Sequence, residues 1–344
     1  MSENSKIQWT DHTFNPWTGC AKVSPGCENC YAEGWAKRSG IVQWGPGKDR
    51  RRTKEAYWRE PIKWNDAQDD LFNIGSFQQL ITTDGRVFRG SGKELAELGI
   101  LNAEIGTVGP ARPRVFSASL ADWLDPEVPI EWLVDFLELI RSTPNLDWLL
   151  LTKRPQLWLS RMRAAYMCST QKMEKRPLLD KWIADWLPEE KKAPSPPSNV
   201  WIGTTAEDQK RANERIPLLL EIPAEIRFLS CEPLLEPICH PGITGKEINM
   251  ERRPIGESDP SNNPDPWNEF EPVENIHPTV DWLIVGGESG GGHRPFNPKW
   301  ARSLLEQCTE GSVPFFMKQM GGTTKKAFDP IPKDLMIREF PTSA

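Results

Sequence analysis

Short apolar runs, each ending in polar or charged residues, recur along the chain and set its predicted architecture. They are Arg114–Ser119 (RVFSAS), Asp147–Thr152 (DWLLLT), Val200–Thr204 (VWIGT), Ile226–Ser230 (IRFLS), Asp281–Val285 (DWLIV) and Val313–Met317 (VPFFM). Continuous apolar runs of this length fit strands buried on both faces of a parallel sheet. Helical periodicity fills the intervals: Pro129–Arg141 places Ile130, Leu133, Val134, Leu137 and Ile140 on one face, and Gln209–Leu220 and Pro298–Thr309 read alike. Strands alternating with helices predict βα units with right-handed crossovers. The expected fold is a TIM-like parallel barrel, complete or partial, with one or two further strands in the first 110 residues; an open Rossmann-type sheet is the alternative.

Three stretches break the pattern: residues 45–110, polar and Gly-rich; residues 166–199, with a short Trp-bearing helix; and residues 240–279, rich in Pro, Asn and acidic side chains. They read as insertions in a single domain spanning residues 1–344.

No apolar run approaches the roughly 20 residues of a membrane helix, and the N-terminus lacks a signal-like apolar segment. The expected location is the cytoplasm, that of the host if the chain is phage-encoded. A net charge of −6 argues against general coating of nucleic acid but leaves room for a local basic patch. Lys48–Arg59 (KDRRRTKEAYWR) is such a stretch, with Trp44, Tyr57 and Trp58 interleaved, and reads either as a nucleic-acid contact or as a solvated charged loop.

Three of the seven cysteines, Cys20, Cys27 and Cys30, stand in a C-x6-C-x2-C array. In a reducing compartment this pattern reads as metal binding, and thiolates suit iron–sulfur clusters or zinc. A four-iron cluster on three cysteines keeps one iron open to a small molecule. Structural zinc wants a fourth ligand, which His12 could supply, and free buried cysteines are a third reading.

In a parallel barrel the residues just past the carboxyl end of each strand line the active site. Here those residues are Ser117, Ser119 and Asp122; Thr152, Lys153 and Arg154; Thr204, Thr205 and Glu207; Ser230, Cys231 and Glu232; Gly286, Gly287 and Glu288, then His293 and Arg294; and Lys318 and Gln319. Individually they read as pocket residues or as ion pairs capping strands; collectively they predict a polar pocket. The Gly286-Gly287 pair allows close backbone approach to a ligand but lacks the spacing of a dinucleotide fingerprint. Glu288 suits a ligand amino group, and Lys153, Arg154 and Lys318 suit carboxylate or phosphate.

The blocks NPWTGCAKVSPGCENCYAE, FSASLADWLDPEVP, LLLTKRP, VWIGTTAEDQKRANERIPLL, IRFLSCEPLLEPI, VGGESGGGHRP and PFFMKQMGG occur in that order. In them the chain resembles the phage Gp37/Gp68-like family of radical-SAM-like proteins. The resemblance implies a barrel of the radical SAM type, with a [4Fe-4S] cluster on Cys20, Cys27 and Cys30 whose open iron binds S-adenosylmethionine for cleavage to a 5′-deoxyadenosyl radical. The first gap of six residues exceeds the three usual in radical SAM enzymes, and Gly-Gly-Glu stands far from the cysteines. Expected cofactor contacts are Tyr31, Ser119, Asp122, Glu207, Gly286, Gly287 and Glu288. Substrate contacts are expected from Arg154, Arg294, Lys318, Gln319, Arg51 and Arg52, and chemistry from Lys153, Cys231 and Glu232.

The family's phage setting implies DNA as partner: an isomerase rearranging an amino-acid-modified thymine, flipped from the duplex and served by an electron donor such as a flavodoxin or ferredoxin. A radical SAM lyase or other enzyme acting on nucleotides or RNA, and a non-enzymatic zinc-stabilised nucleic-acid-binding protein, are the alternatives.

Overall fold

Each predicted apolar run forms a strand, because a run without polar interruption is stable only where both faces of the sheet are covered. The computed structural model describes residues 5–71, 78–89, 105–171, 176–189, 192–246, 278–323 and 328–342. In chain order the strands are β1 His12–Phe14, β2 Trp17–Thr18, β3 Arg51–Arg52, β4 Gln78–Thr82, β5 Val87–Arg89, β6 Ile105–Pro110, β7 Arg114–Ser117, β8 Asp147–Thr152, β9 Val200–Thr205, β10 Ile226–Cys231, β11 Trp282–Gly286 and β12 Phe315–Gln319. Seven of them form one parallel sheet in the order β1-β7-β8-β9-β10-β11-β12. Helices Ile130–Arg141, Trp158–Gln171, Gln209–Leu220 and Pro298–Gly311 lie between successive strands.

The sheet is curled. On a flat sheet β1 and β10 would stand four strand spacings apart, about 19 Å at ~4.8 Å each. Yet Trp9, just before β1, has its ring 6.1 Å from Phe228 on β10 and 6.3 Å from Trp282 on β11. Among the described residues β1 and β12 do not pair, so the architecture is a half-barrel, the partial form of the expected TIM-like fold.

Alternation divides the core. Val115, Trp148, Leu150, Val200, Ile202, Leu229, Leu283, Val285, Phe315 and Met317 face the helices. Phe116, Leu149, Trp201, Phe228, Trp282 and Phe316 face inward and, with Trp9 and Phe340, plug the interior. Gly203 is part of that packing: a Cβ there would meet the Phe228 ring at 2.4 Å. Phe228 and Gly203 are register partners, so the missing side chain makes room for the ring. The free edge of β12 is covered by the chain beyond it, with Met317 N–H donating to Ile337 O and Glu339 N–H to Phe315 O.

The first insertion is more regular than its composition implied. Residues 45–110 carry β3, helices Glu55–Trp58 and Glu60–Leu71, and an antiparallel sheet ordered β5-β4-β6. The second holds the expected Trp-bearing helix, Pro177–Trp186. Most of the third, residues 247–277, lies outside the described residues. β1, the added strand found near the N-terminus, reads HTF and carries no apolar run.

Candidate functional site

Because all seven strands run parallel, their carboxyl ends open on one mouth. The chain leaves β1 and β2 there, and the loop with Cys20, Cys27 and Cys30 lies across it before helix Tyr31–Ser39. Successive strand ends hold this loop. After β7, Ser119 O accepts Tyr31 Oη–H at 2.6 Å. After β8, Arg154 donates to Ala21 O at 3.0 Å and to Cys20 Sγ at 3.5 Å. After β9, Glu207 Oε1 accepts Gly26 N–H at 3.0 Å. After β11, Glu288 Oε2 accepts Asn29 Nδ2–H at 2.9 Å, and Arg294 donates to Pro25 O at 2.9 Å.

These anchors are themselves paired. Asp122 accepts from Thr152 Oγ1, Leu124 N, Lys153 N and Arg154 Nη1, the last at 2.8 Å. Glu207 pairs with Arg215 at 2.9 Å, and Glu288 with Arg294 at 2.6 Å. Burial would raise both glutamates' pKa values. Arg215 beside Glu207, and the hydrogen bonds of Arg294 and Asn29 to Glu288, win and hold both below the ordinary carboxylate value. Three expected cofactor contacts, Asp122, Glu207 and Glu288, are therefore engaged in holding the loop. Gly287 has a backbone reason of its own, since a Cβ there would lie 2.4 Å from Gly321 N.

All three cysteines are free thiols, half-buried in the loop. Burial, with Asp122 nearby, pushes the Cys20 thiol up to about 12 despite Arg154. Among the described residues no group of three His, Cys, Asp or Glu side chains is gathered at metal-binding spacing. What the trio offers a metal is its donor chemistry, three soft thiols on one short loop over the barrel mouth. His12 is buried in β1 with its ring stacked on Trp64 at 4.4 Å.

Beneath the loop the inner face changes character along the strands. Leu151, Gly203, Phe228 and Trp282 stand in register; the next inward positions include Thr205 and Ser230, and above them come Glu232, Gly286 and Lys318. Lys318 pairs with Glu232, the two side chains 14% and 18% exposed. Lys153 Nζ donates to Thr205 Oγ1 at 3.2 Å. Gln319 donates to Gly287 O at 3.1 Å.

Two sequence expectations are placed elsewhere. Cys231 points away from the mouth into the helix-side core, fully buried with Leu304 and Cys308, and burial holds its thiol well above the ordinary range. The basic stretch is largely consumed internally: Arg50 is buried against Asp125 and Glu127, and Arg52 pairs with Asp135 while lying 4.2 Å over the Trp58 ring. Tyr57 hydrogen-bonds Thr13 O and Asn15 N–H, and Trp58 is buried, so neither ring is open for stacking on a base. Arg51 is exposed, its guanidinium donating to Ile41 O.

Asn29 and Arg215 escaped the sequence reading. Arg215 did carry a signal: it falls on the apolar stripe of Ala212, Ile216 and Leu219, where an unpaired charge would be costly. Asn29 carried none, because its partner Glu288 is remote in the chain.

Fold and site together define a class: an α/β half-barrel protein whose mouth is spanned by a three-cysteine loop tied to its strand ends. The chain belongs to the family described as protein of unknown function (DUF5131), whose model matches residues 4–341. No curated protein matches the chain, and neither does any solved structure. Among the described residues no helix is long and apolar enough to cross a membrane.

Proposed function

We propose that this protein is a radical SAM enzyme carrying a [4Fe-4S] cluster on Cys20, Cys27 and Cys30, with its substrate in the half-barrel mouth. The observation that carries the reading is the three-cysteine loop hydrogen-bonded across the carboxyl ends of a parallel half-barrel, over an inward-facing polar layer. When bound, a cluster with one open iron supplies reductive cleavage of S-adenosylmethionine, with electrons from a flavodoxin- or ferredoxin-like donor. The protein's share is positional: Arg154, Glu207, Glu288 and Arg294 fix the loop, and the aromatic plug closes the mouth from below.

For the substrate, the resemblance in the seven sequence blocks supports an isomerase acting on an amino-acid-modified thymine in DNA. A base must leave the duplex to enter such a mouth. With Arg52 committed to Asp135, the phosphate contact assigned to this stretch falls to Arg51.

Anaerobic reconstitution with iron and sulfide is expected to give about four irons per chain and a reducible cluster signal. The reduced protein is expected to release 5′-deoxyadenosine from S-adenosylmethionine, and Cys27→Ala to abolish that release. A colourless protein holding one zinc, or undiminished release by Cys27→Ala, refutes the cluster. Mass spectrometry of nucleosides from DNA made with and without the gene tests the substrate, and identical profiles refute the isomerase.

A further inference from the structure

Among the described residues most charges around the mouth stand in ion pairs. Arg154 is matched by Asp122, Arg215 by Glu207, Arg294 by Glu288 and Lys318 by Glu232. Among the described residues Lys153 has no carboxylate within ion-pair distance: its ammonium donates to the neutral hydroxyl of Thr205. It is half-buried, and Glu207, which feels its charge, is already committed to Arg215 and to Gly26.

The position of Lys153 is fixed by two constraints. Its backbone N–H donates to Asp122 Oδ2 at 3.0 Å, so the chain cannot turn it outward without breaking the Asp122 network. Alternation along β8 sets it two residues beyond Leu151, which packs on the inner aromatic cluster. The side chain therefore runs inward and crosses to β9 beside Thr205. A half-buried ammonium whose direct contact is a neutral hydroxyl keeps donors to spare for an incoming anion.

We infer that Lys153 receives an anionic oxygen group, a carboxylate or a phosphate, on the molecule that binds in the mouth. Thr205 Oγ, already hydrogen-bonded to the ammonium, stands beside that position as a second polar contact, while Glu232 keeps Lys318 neutralised and so leaves Lys153 the place for the negative charge. Small oxyanions therefore bind the protein alone, weakly, at this lysine. The inference rests on the mouth being the substrate site, but not on the cluster.

The test uses the full chain with and without iron reconstitution, titrated separately with inorganic phosphate and with acetate. Melting temperature is followed, and the reductive methylation rate of Lys153 is read by mass spectrometry against exposed Lys181 and Lys210. At least one anion is expected to raise the melting temperature and to slow methylation of Lys153 selectively. Lys153→Met is expected to weaken that anion at least about tenfold, and Lys153→Arg to retain it. Protection by phosphate assigns a phosphate group, and protection by acetate a carboxylate. Protection by neither anion, or equal anion stabilisation of Lys153→Met and the parent, overturns the inference. Failure to take up iron leaves all of these readouts intact, so the two proposals fail separately.

Discussion

Arg154 joins the end of β8 to the cysteine loop, its Nη1 standing 2.8 Å from Asp122 Oδ2 and 3.5 Å from Cys20 Sγ. Both charged side chains are only 6% exposed, so the pair is a buried one and the loop shares its fate. The other strand-end anchors act on the same loop, and the position of the cysteines is thus a property of the whole barrel mouth.

Arg154→Met leaves Asp122 charged, buried and unpaired, and should cost about 3–5 kcal/mol of stability in urea unfolding. Arg154→Met with Asp122→Leu removes both charges and should recover part of that loss. A cost below about 1 kcal/mol for the single variant would show that the pair does not anchor the fold.

Acid should loosen the loop before neutral pH does. Glu207 and Glu288 have folded pKa values below the ordinary carboxylate value, as does Asp11, where Arg114 overcomes the effect of burial. A depressed folded value contributes stability that is fully present above the unfolded value, about 4.3 for Glu and 3.9 for Asp, and is lost as pH falls through the folded value. The stability these three carboxylates contribute should therefore hold through neutral pH and be lost below about pH 4.3, opposed by Asp147, Asp281 and Glu339, whose values burial raises. Glu207→Gln should lower the neutral midpoint and flatten part of that decline; an unchanged pH profile would exclude a contribution from Glu207.

Gly203→Ala forces a methyl group against the Phe228 ring. Overpacking of this kind costs about 1–3 kcal/mol. Combining it with Phe228→Leu should restore part of the loss, measured as the shift in melting temperature. Additive losses would mean that the two positions do not share the space.

Cys231→Ala should leave turnover within about twofold and cost roughly 1 kcal/mol, as removal of one buried heavy atom from a helix-side core does. A fall in product formation beyond about tenfold with stability preserved would return Cys231 to the chemistry.

The strands were legible because a run such as DWLLLT has only one stable environment, and each of the six predicted runs is a strand. β1 was not legible: three residues, HTF, carry no periodicity, and only pairing with β7 makes them a strand. The polar strand ends could be named from the sequence, because parallel strands put all their carboxyl ends on one side. Their division of labour could not. Asp122, Glu207 and Glu288 look like ligand-binding carboxylates until Arg154, Arg215 and Arg294 are found beside them. The basic stretch at residues 48–59 looked free for the same reason, since Asp125, Glu127 and Asp135 are distant in the chain.

By itself, then, the sequence determined the alternation of strands and helices, the soft-donor trio and the set of polar strand ends, because these depend on residue type and local spacing. Tertiary structure decided the rest: that the sheet curls into a half-barrel, that Cys231 faces the helices, and that the Lys153 ammonium meets the Thr205 hydroxyl. Curvature, the face a side chain takes and the partner of a charge all depend on residues far apart in the chain, which only folding brings within reach.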